Sequence, residues 1–272
     1  MLRGFYTAAS GMLAQQRRTE MLTNNMSNSN TPGFKADQSA VRAFPEMLFN
    51  RVDHDGFGPP KTKPIGSLHA GVYMQEAIPK FLQGDIRDTG KKTDVALFDV
   101  MMPTDEESGT PGTVFFTVRQ SDGSIRYTRN GNFTLDGAGL LTTASGEIVL
   151  GEGGNPVKLS SENFKINETG TITDEAGGSS QLAIAYASNP NKMIREGNGL
   201  FRTEDGGTLP DARAAAGVAF RLQQGAVEAS NVDVSRTMTD MMSAYRAFEA
   251  NQKILQAYDR SMDKAANEIG KL

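Results

Sequence analysis

Toward the C-terminus the apolar positions fall at helical spacing: Val234, Met238, Met241, Tyr245 and Phe248, then Leu255, Tyr258, Met262, Ala265 and Ile269, with Gln252 filling one position. The steps alternate four and three, with one extra three between Leu255 and Tyr258. This is the heptad pattern of a coiled-coil seam carrying a single stammer. The pattern predicts a helix from Asn231 to about Gly270, roughly 40 residues or about 60 Å at 1.5 Å per residue. A helix of that length with one apolar stripe needs a helical partner, and the other candidate lies at the opposite end of the chain.

There, Phe5, Ala8, Met12, Thr19, Leu22 and Met26 share one stripe, with Gln15 between Met12 and Thr19. The spacing predicts a helix from Phe5 to about Asn28. Gly4 and Gly11 weaken it by up to about 1 kcal/mol each relative to alanine. Asn30-Thr31-Pro32-Gly33 must end it, because proline disfavours helix at the preceding residue and glycine supplies a turn.

Between the helices the period changes. Arg42 to Arg51 reads as a short helix, Gly56 to Gly66 as loop, and His69 to Phe81 as one or two strands. From Val114 onward, short β-branched and aromatic runs alternate with turns. Val114–Val118, Ile125–Arg129, Phe133–Leu135, Leu140–Thr142, Ile148–Leu150, Phe164–Ile166, Thr171–Thr173, Leu182–Tyr186 and Phe220–Gln224 read as strands. Ser121–Ser124, Asp136–Gly139, Gly197–Gly199 and Asp205–Gly207 read as turns, and Asn130-Gly131 as a hairpin turn. Strands at this spacing predict an antiparallel sandwich or barrel. The expected fold class is therefore α+β: terminal helices forming a coiled-coil-like stalk around a central β-rich, sandwich- or barrel-like domain. The expected divisions are a helical part, 1–33 with 226–272, a linker with short elements, 34–90, and a β-rich outer domain, 91–225.

Charge refines the picture. The chain has 272 residues, a net charge of −4 and a pI near 5.4, which speaks against a general nucleic-acid surface. Residues 1–35 are net basic, the C-terminal helix is balanced, and the acidity lies in the middle. The chain contains no cysteine, which rules out a disulfide framework or thiolate metal site. No stretch reads as a secretory signal or a membrane span, so composition alone points to the cytoplasm.

Candidate chemistry is sparse. His54 and His69 share no metal-binding spacing and read as solvated. Asp136–Gly139 lacks the acidic ligands of a calcium loop. Gly151–Gly154 lacks the lysine and helix of a phosphate loop. No catalytic, cofactor-binding or metal residues are expected. The methionines on or beside the C-terminal seam (Met238, Met241, Met242, Met262) read as ordinary core, or as adaptable filler at a surface that packs against varied neighbours. By periodicity alone the seam fits an intramolecular hairpin, a homodimeric coiled coil or a polymerisation surface.

Longer motifs narrow these choices. Asn24–Lys35 (NNMSNSNTPGFK), preceded by Tyr6–Met12, resembles the N-terminal signature of bacterial flagellar rod and hook proteins. Gly225–Val234 resembles the segment that opens their C-terminal helix, and Met242, Tyr245, Arg246, Phe248, Glu249, Asn251 and Lys253 continue the likeness. Gln83–Ile86, Thr89-Gly90 and Tyr127–Phe133 resemble the rod-protein β-domain. Length and middle motifs resemble rod-type members more than the longer hook protein, and most of all those of Gram-positive bacilli. Asp99–Gly112 departs from the family's compact turn.

The resemblance implies a structural, non-enzymatic subunit of the basal-body rod. It implies export through the flagellar type III apparatus without a cleaved signal, which overrides the cytoplasmic reading. Implied partners are other copies of the chain, neighbouring rod and hook proteins and the export apparatus, with no nucleic acid and no membrane insertion. The implied assembly residues are Phe5, Met12, Leu22 and Met26 at one end, and Val234, Met238, Met241, Tyr245, Phe248, Leu255, Tyr258, Met262 and Ile269 at the other. A β-domain binding module or adhesin on a dimeric helical stalk is the competing reading.

Overall fold

The computed structural model describes residues 2–53, 61–105, 109–175 and 177–267. They fall into two compact units, one built from the described residues within 1–27, 37–78 and 233–272, the other from those within 28–36 and 79–232.

In the first unit, α1 (Leu2–Ser27) and α2 (Val234–Asn267) pack against each other. Passing along α1 through Gly4, Gly11 and Thr23, the neighbours on α2 are Tyr258, Asn251 and Met241, so the helices run antiparallel. The two glycines that weaken α1 lie at this contact. A Cβ at Gly4 would collide with the Tyr258 ring, and one at Gly11 would sit 3.0 Å from Asn251 Nδ2. Close approach of the helices is what their missing side chains allow. Asp233 caps α2, its Oδ1 accepting from Arg236 N at 3.0 Å.

The strands of this unit are β1 (Asp37–Gln38), β2 (Val41–Ala43), β3 (Glu46–Asp53), β4 (Lys61–His69) and β5 (Val72–Met74). β2 pairs with β5, and β3 with β4, all antiparallel. The short helix expected at Arg42–Arg51 is thus β2 and β3. So short an apolar run does not distinguish helix from strand, and the pairing of β2 with β5 and of β3 with β4 decides the outcome. Lys61–Gly66, read as loop, lies in β4. Pro64 sits opposite Asn50 beside a register shift, where the missing proline N–H is tolerated. His54 and the start of the expected loop lie outside the described residues.

After β6 (Ile78–Pro79), the second unit contains β7 (Ile86–Asp88), β8 (Val95–Met101), β9 (Thr113–Arg119), β10 (Ile125–Thr128), β11 (Phe133–Leu135), β12 (Leu141–Thr143) and β13 (Ile148–Val149). It continues with β14 (Lys165–Ile166), β15 (Thr171–Thr173), β16 (Ser179–Gln181), β17 (Ile184–Ala187), β18 (Met193–Arg195), β19 (Leu200–Thr203), β20 (Ala219–Gln224) and β21 (Ala226–Glu228). The main sheet runs β11-β12-β13-β9-β10-β19-β18, with β17 also on β9. β14-β15-β16 form a smaller sheet, and β8–β20 and β7–β21 are ribbons.

Central strand β9 is covered on both faces. Val114, Phe116 and Val118 enter one core cluster with Leu97, Phe133 and Leu182, while Phe115 enters another with Tyr127 and Phe201. That explains why Val114-Phe115-Phe116 is an unbroken apolar run rather than an alternating one.

The chain is α+β and rich in strands in its middle, as expected, but no closed barrel forms among the described residues. β11 and β18 end the main sheet and do not pair. The coiled-coil stalk is likewise not established by the helix pair. Asn130-Gly131 is not a hairpin turn: β10 pairs with β9 and β19, and β11 with β12. Instead Gly131 O accepts from Val95 N at 2.9 Å, and any Cβ there would overlap Val95 O. The glycine serves close backbone approach. In Asp99–Gly112, β8 and β9 are linked by a bridge between Thr104 and Pro111, with Asp105 N bonded to Thr110 O at 3.0 Å.

Candidate assembly surface

The buried stripe of α2 differs from the sequence-derived seam. Thr237 and Ala244 are buried, and Met241, Phe248, Asn251, Leu255, Tyr258, Met262 and Ala265 are partly buried. These nine positions alternate four and three without interruption, so no stammer is needed. The sequence favoured Met238 and Tyr245 because they are large and apolar. The contact instead takes their smaller neighbours Thr237 and Ala244, which let the helices approach.

Of the expected assembly residues, Leu22 is buried. Phe5, Met12, Met26, Met241, Phe248, Leu255, Tyr258 and Met262 are partly buried. Val234, Met238 and Tyr245 are exposed, with Met238 at 53% and Tyr245 at 61%. Ile269 lies outside the described residues. Met242 and Ile254 on α2 and Tyr6 and Leu13 on α1 are also exposed. The helix pair therefore has an inner apolar seam and, besides it, outward apolar side chains that no described residue covers. The β3–β4 hairpin adds Met47, Leu48, Ile65 and Leu68, all exposed. Between hairpin and α1 lies an apolar cleft of about 430 Å³ lined by Tyr6, Met47, Leu48, Leu68 and neighbours. Scattered exposed apolar residues are ordinary, but a grouped set of this kind marks an interaction surface.

Among the described residues no three metal-binding side chains cluster. His69 instead bonds Phe44 O through Nδ1 at 3.0 Å and faces Glu46 through Nε2 at 3.3 Å.

Sequence reasoning missed a cluster of four charges inside the second unit. Lys35 Nζ lies 2.6 Å from Glu228 Oε1 and donates to Leu82 O at 2.8 Å. Arg129 donates from Nε to Glu228 Oε2 at 2.9 Å and from Nη1 to Asp99 Oδ1 at 2.8 Å. Its remaining donors meet Val114 O and Leu97 O. Gly84 N completes the Glu228 shell at 2.9 Å. Lys35, Arg129 and Glu228 are each only 1% exposed. Burial, with Arg129 nearby, pulls the Lys35 ammonium down to about 8 despite Glu228. Burial pushes the Glu228 carboxyl up, but Arg129 and Lys35 outweigh it and hold the group below the usual carboxylate range. Burial likewise opposes the Arg129 charge, yet Asp99 and Glu228 prevail and raise it. Lys35, Arg129 and Glu228 each sit in a segment that resembles the family, at Asn24–Lys35, Tyr127–Phe133 and Gly225–Val234, but nothing in the sequence joins the three. Lys35 and its partner Glu228 lie 193 positions apart.

Comparison with known proteins gives this surface its context. Three family models match: Flagella basal body rod protein at residues 5–35, Flagellar hook protein FlgE/F/G D1 domain at 111–174, and Flagellar basal body rod FlgEFG protein C-terminal at 223–268. Similar relatives include a flagellar hook-basal body complex protein, FlhO, of Bacillus subtilis, 46% identical over 272 residues and covering all of both chains. A flagellar basal-body rod protein, FlgG, of Borreliella burgdorferi is 31% identical over 280 residues, covering 98% of each chain. FlhP of Bacillus subtilis is 29% identical, covering 96% of this chain and 97% of the relative. These relatives span the helices and the β-rich unit together, which leaves the adhesin-on-a-stalk reading without support. With both helical ends and the β-rich middle matched in one continuous alignment, the chain belongs to the flagellar basal-body rod and hook protein family, as a rod-type structural subunit of the basal body and not an enzyme.

Proposed function

We propose that the subunit polymerises through the outward face of its helix pair, together with the β3–β4 hairpin. The partners are other copies of itself and neighbouring rod and hook proteins. The observation that carries this reading is the exposure of Val234, Met238, Met242 and Tyr245 on a helix whose inner seam is already occupied. The inner residues, Leu22, Phe248 and Leu255 among them, then preserve the shape of the pair, while the outer residues meet neighbours. In this reading residues 1–33 and 226–272 serve assembly, 34–90 link the helices to the β-rich part and add the β3–β4 strands to the surface, and 91–225 form the outer domain. The chain reaches the basal body through the flagellar type III apparatus without a cleaved signal. The resemblance supports that route, and among the described residues no helix is long and apolar enough to cross a membrane.

Tyr245→Asp tests the proposal. The site is exposed in the monomer, so the melting temperature of the purified protein should stay unchanged. An aspartate facing a neighbour in the polymer buries an unpaired charge in every subunit contact, costing several kcal/mol each. Cells carrying the variant should export the subunit and lack flagella. Normal flagella would rule out this face as the assembly surface.

A further inference from the structure

The four-charge cluster joins the two chain segments that lead to the helices. Lys35 lies eight residues past Ser27, the end of α1, and Glu228 lies six before Val234, the start of α2. Backbone bonds reinforce the junction: Gly33 N donates to Glu228 O at 2.7 Å, and Asn231 N to Phe34 O at 3.4 Å. Asn231 Oδ1 accepts from Ala36 N at 2.7 Å, while its Nδ2 donates to Lys80 O and Leu82 O. Arg195 stacks over Phe34 at 4.6 Å and donates to Lys35 O. Gly33, in the left-handed region at φ +68°, packs so closely on the Arg129 backbone that a side chain would collide with it.

We propose that this cluster is a clasp that couples pairing of α1 with α2 to closure of the β-rich unit. The two helices are separated by about 200 residues of chain, and bringing such distant ends together is entropically unfavourable. Once the β-rich unit folds, the clasp holds the end of one connecting segment against the start of the other. The helices then start from neighbouring points, and their effective concentration for one another rises. None of the four charged side chains belongs to either helix, so their effect on helix pairing is transmitted through the chain connection. The buried charges suit such a role: the donors and acceptors match only when all the segments are in register, whereas a purely apolar junction tolerates slippage.

The absence of cysteine in the natural sequence gives a direct test. Gly11→Cys and Asn251→Cys place thiols on facing positions of α1 and α2 in the full chain. Equilibration with reduced and oxidised glutathione then measures their effective concentration. With Lys35→Met or Glu228→Gln added, that value should fall at least about tenfold, within the range linkage effects allow. Near-ultraviolet circular dichroism should meanwhile show the β-rich unit still folded. Asp122→Ala, at an exposed turn of the same unit, should leave the value unchanged. An unchanged value in both clasp variants with the unit folded overturns the proposal, as does an equal fall in Asp122→Ala. If both clasp variants unfold the unit, a urea titration of the two-cysteine chain decides. Loss of thiol proximity in step with unfolding of the β-rich unit supports the clasp, and proximity that survives it overturns it.

Discussion

Lys35 shows how burial changes the meaning of a single residue. In the sequence it closes a polar signature segment; in the folded unit its ammonium is enclosed, with Glu228 and Leu82 O as partners. Its folded value near 8 lies below the ordinary lysine value of 10.5. Between those limits the unfolded chain binds more protons, so this residue's contribution to stability rises with pH. The unfavourable part is fully present below pH 8 and is relieved as pH rises toward 10.5. Tyr127, raised by burial, acts in the opposite sense above pH 10, so the measurement belongs between pH 8 and 9.5. Lys35→Met should remove this rise. The difference in urea unfolding free energy between the two proteins should change by about 1–2 kcal/mol over that interval, given 1.36 kcal/mol per pKa unit. Parallel stability curves would mean that Lys35 keeps an ordinary proton affinity. No sequence pattern announces this network: Arg129 lies 99 positions from Glu228, and a lone buried-to-be charge looks the same as a solvated one.

At the level of elements, both helices were legible because a 3.6-residue period persists over many turns. Their contacting edge was less legible. Apolar size favoured Met238 and Tyr245, whereas close packing selected Thr237 and Ala244, just as it placed Gly4 and Gly11 on the other helix. The β3–β4 hairpin was hidden for a different reason. Met47, Leu48 and Phe49 are consecutive rather than alternating, and Pro64 interrupts the partner strand. Two aspartate substitutions should separate the faces of α2. Leu255→Asp places a charge on the inner seam, where losing a partly buried leucine costs less than the about 1.5–3 kcal/mol of a fully buried one but still counts against the pair. It should reduce helical circular dichroism in the monomer while the β signal persists. Tyr245→Asp should leave both signals intact. Equal helix content in the two proteins would show that α1 and α2 do not depend on that seam in solution.

For the whole molecule, the strand-rich middle was readable from its turns and β-branched runs, but whether its sheet closes was not. Local spacing gives strand existence, while the partners of β10 and β11 depend on contacts distant in sequence, such as Val95 with Gly131. The core of the β-rich unit is drawn from within that unit: Val95, Leu97, Phe116, Phe133, Leu182 and Leu222 pack together without help from either helix. The clasp, too, is internal to it. A chain cut to residues 28–232 therefore retains the apolar burial and the buried charge partners on which this unit depends. It should fold cooperatively, with a melting temperature within a few degrees of the corresponding transition in the full chain, since a 1 kcal/mol loss shifts a domain of this size by about 2–4 °C. It should stay monomeric at concentrations where the full chain polymerises. Calorimetry and light scattering read the two outcomes separately. A truncated chain without a cooperative transition would show that the β-rich unit draws its stability from the helix pair, and a truncated chain that polymerises would move the assembly surface away from the helices.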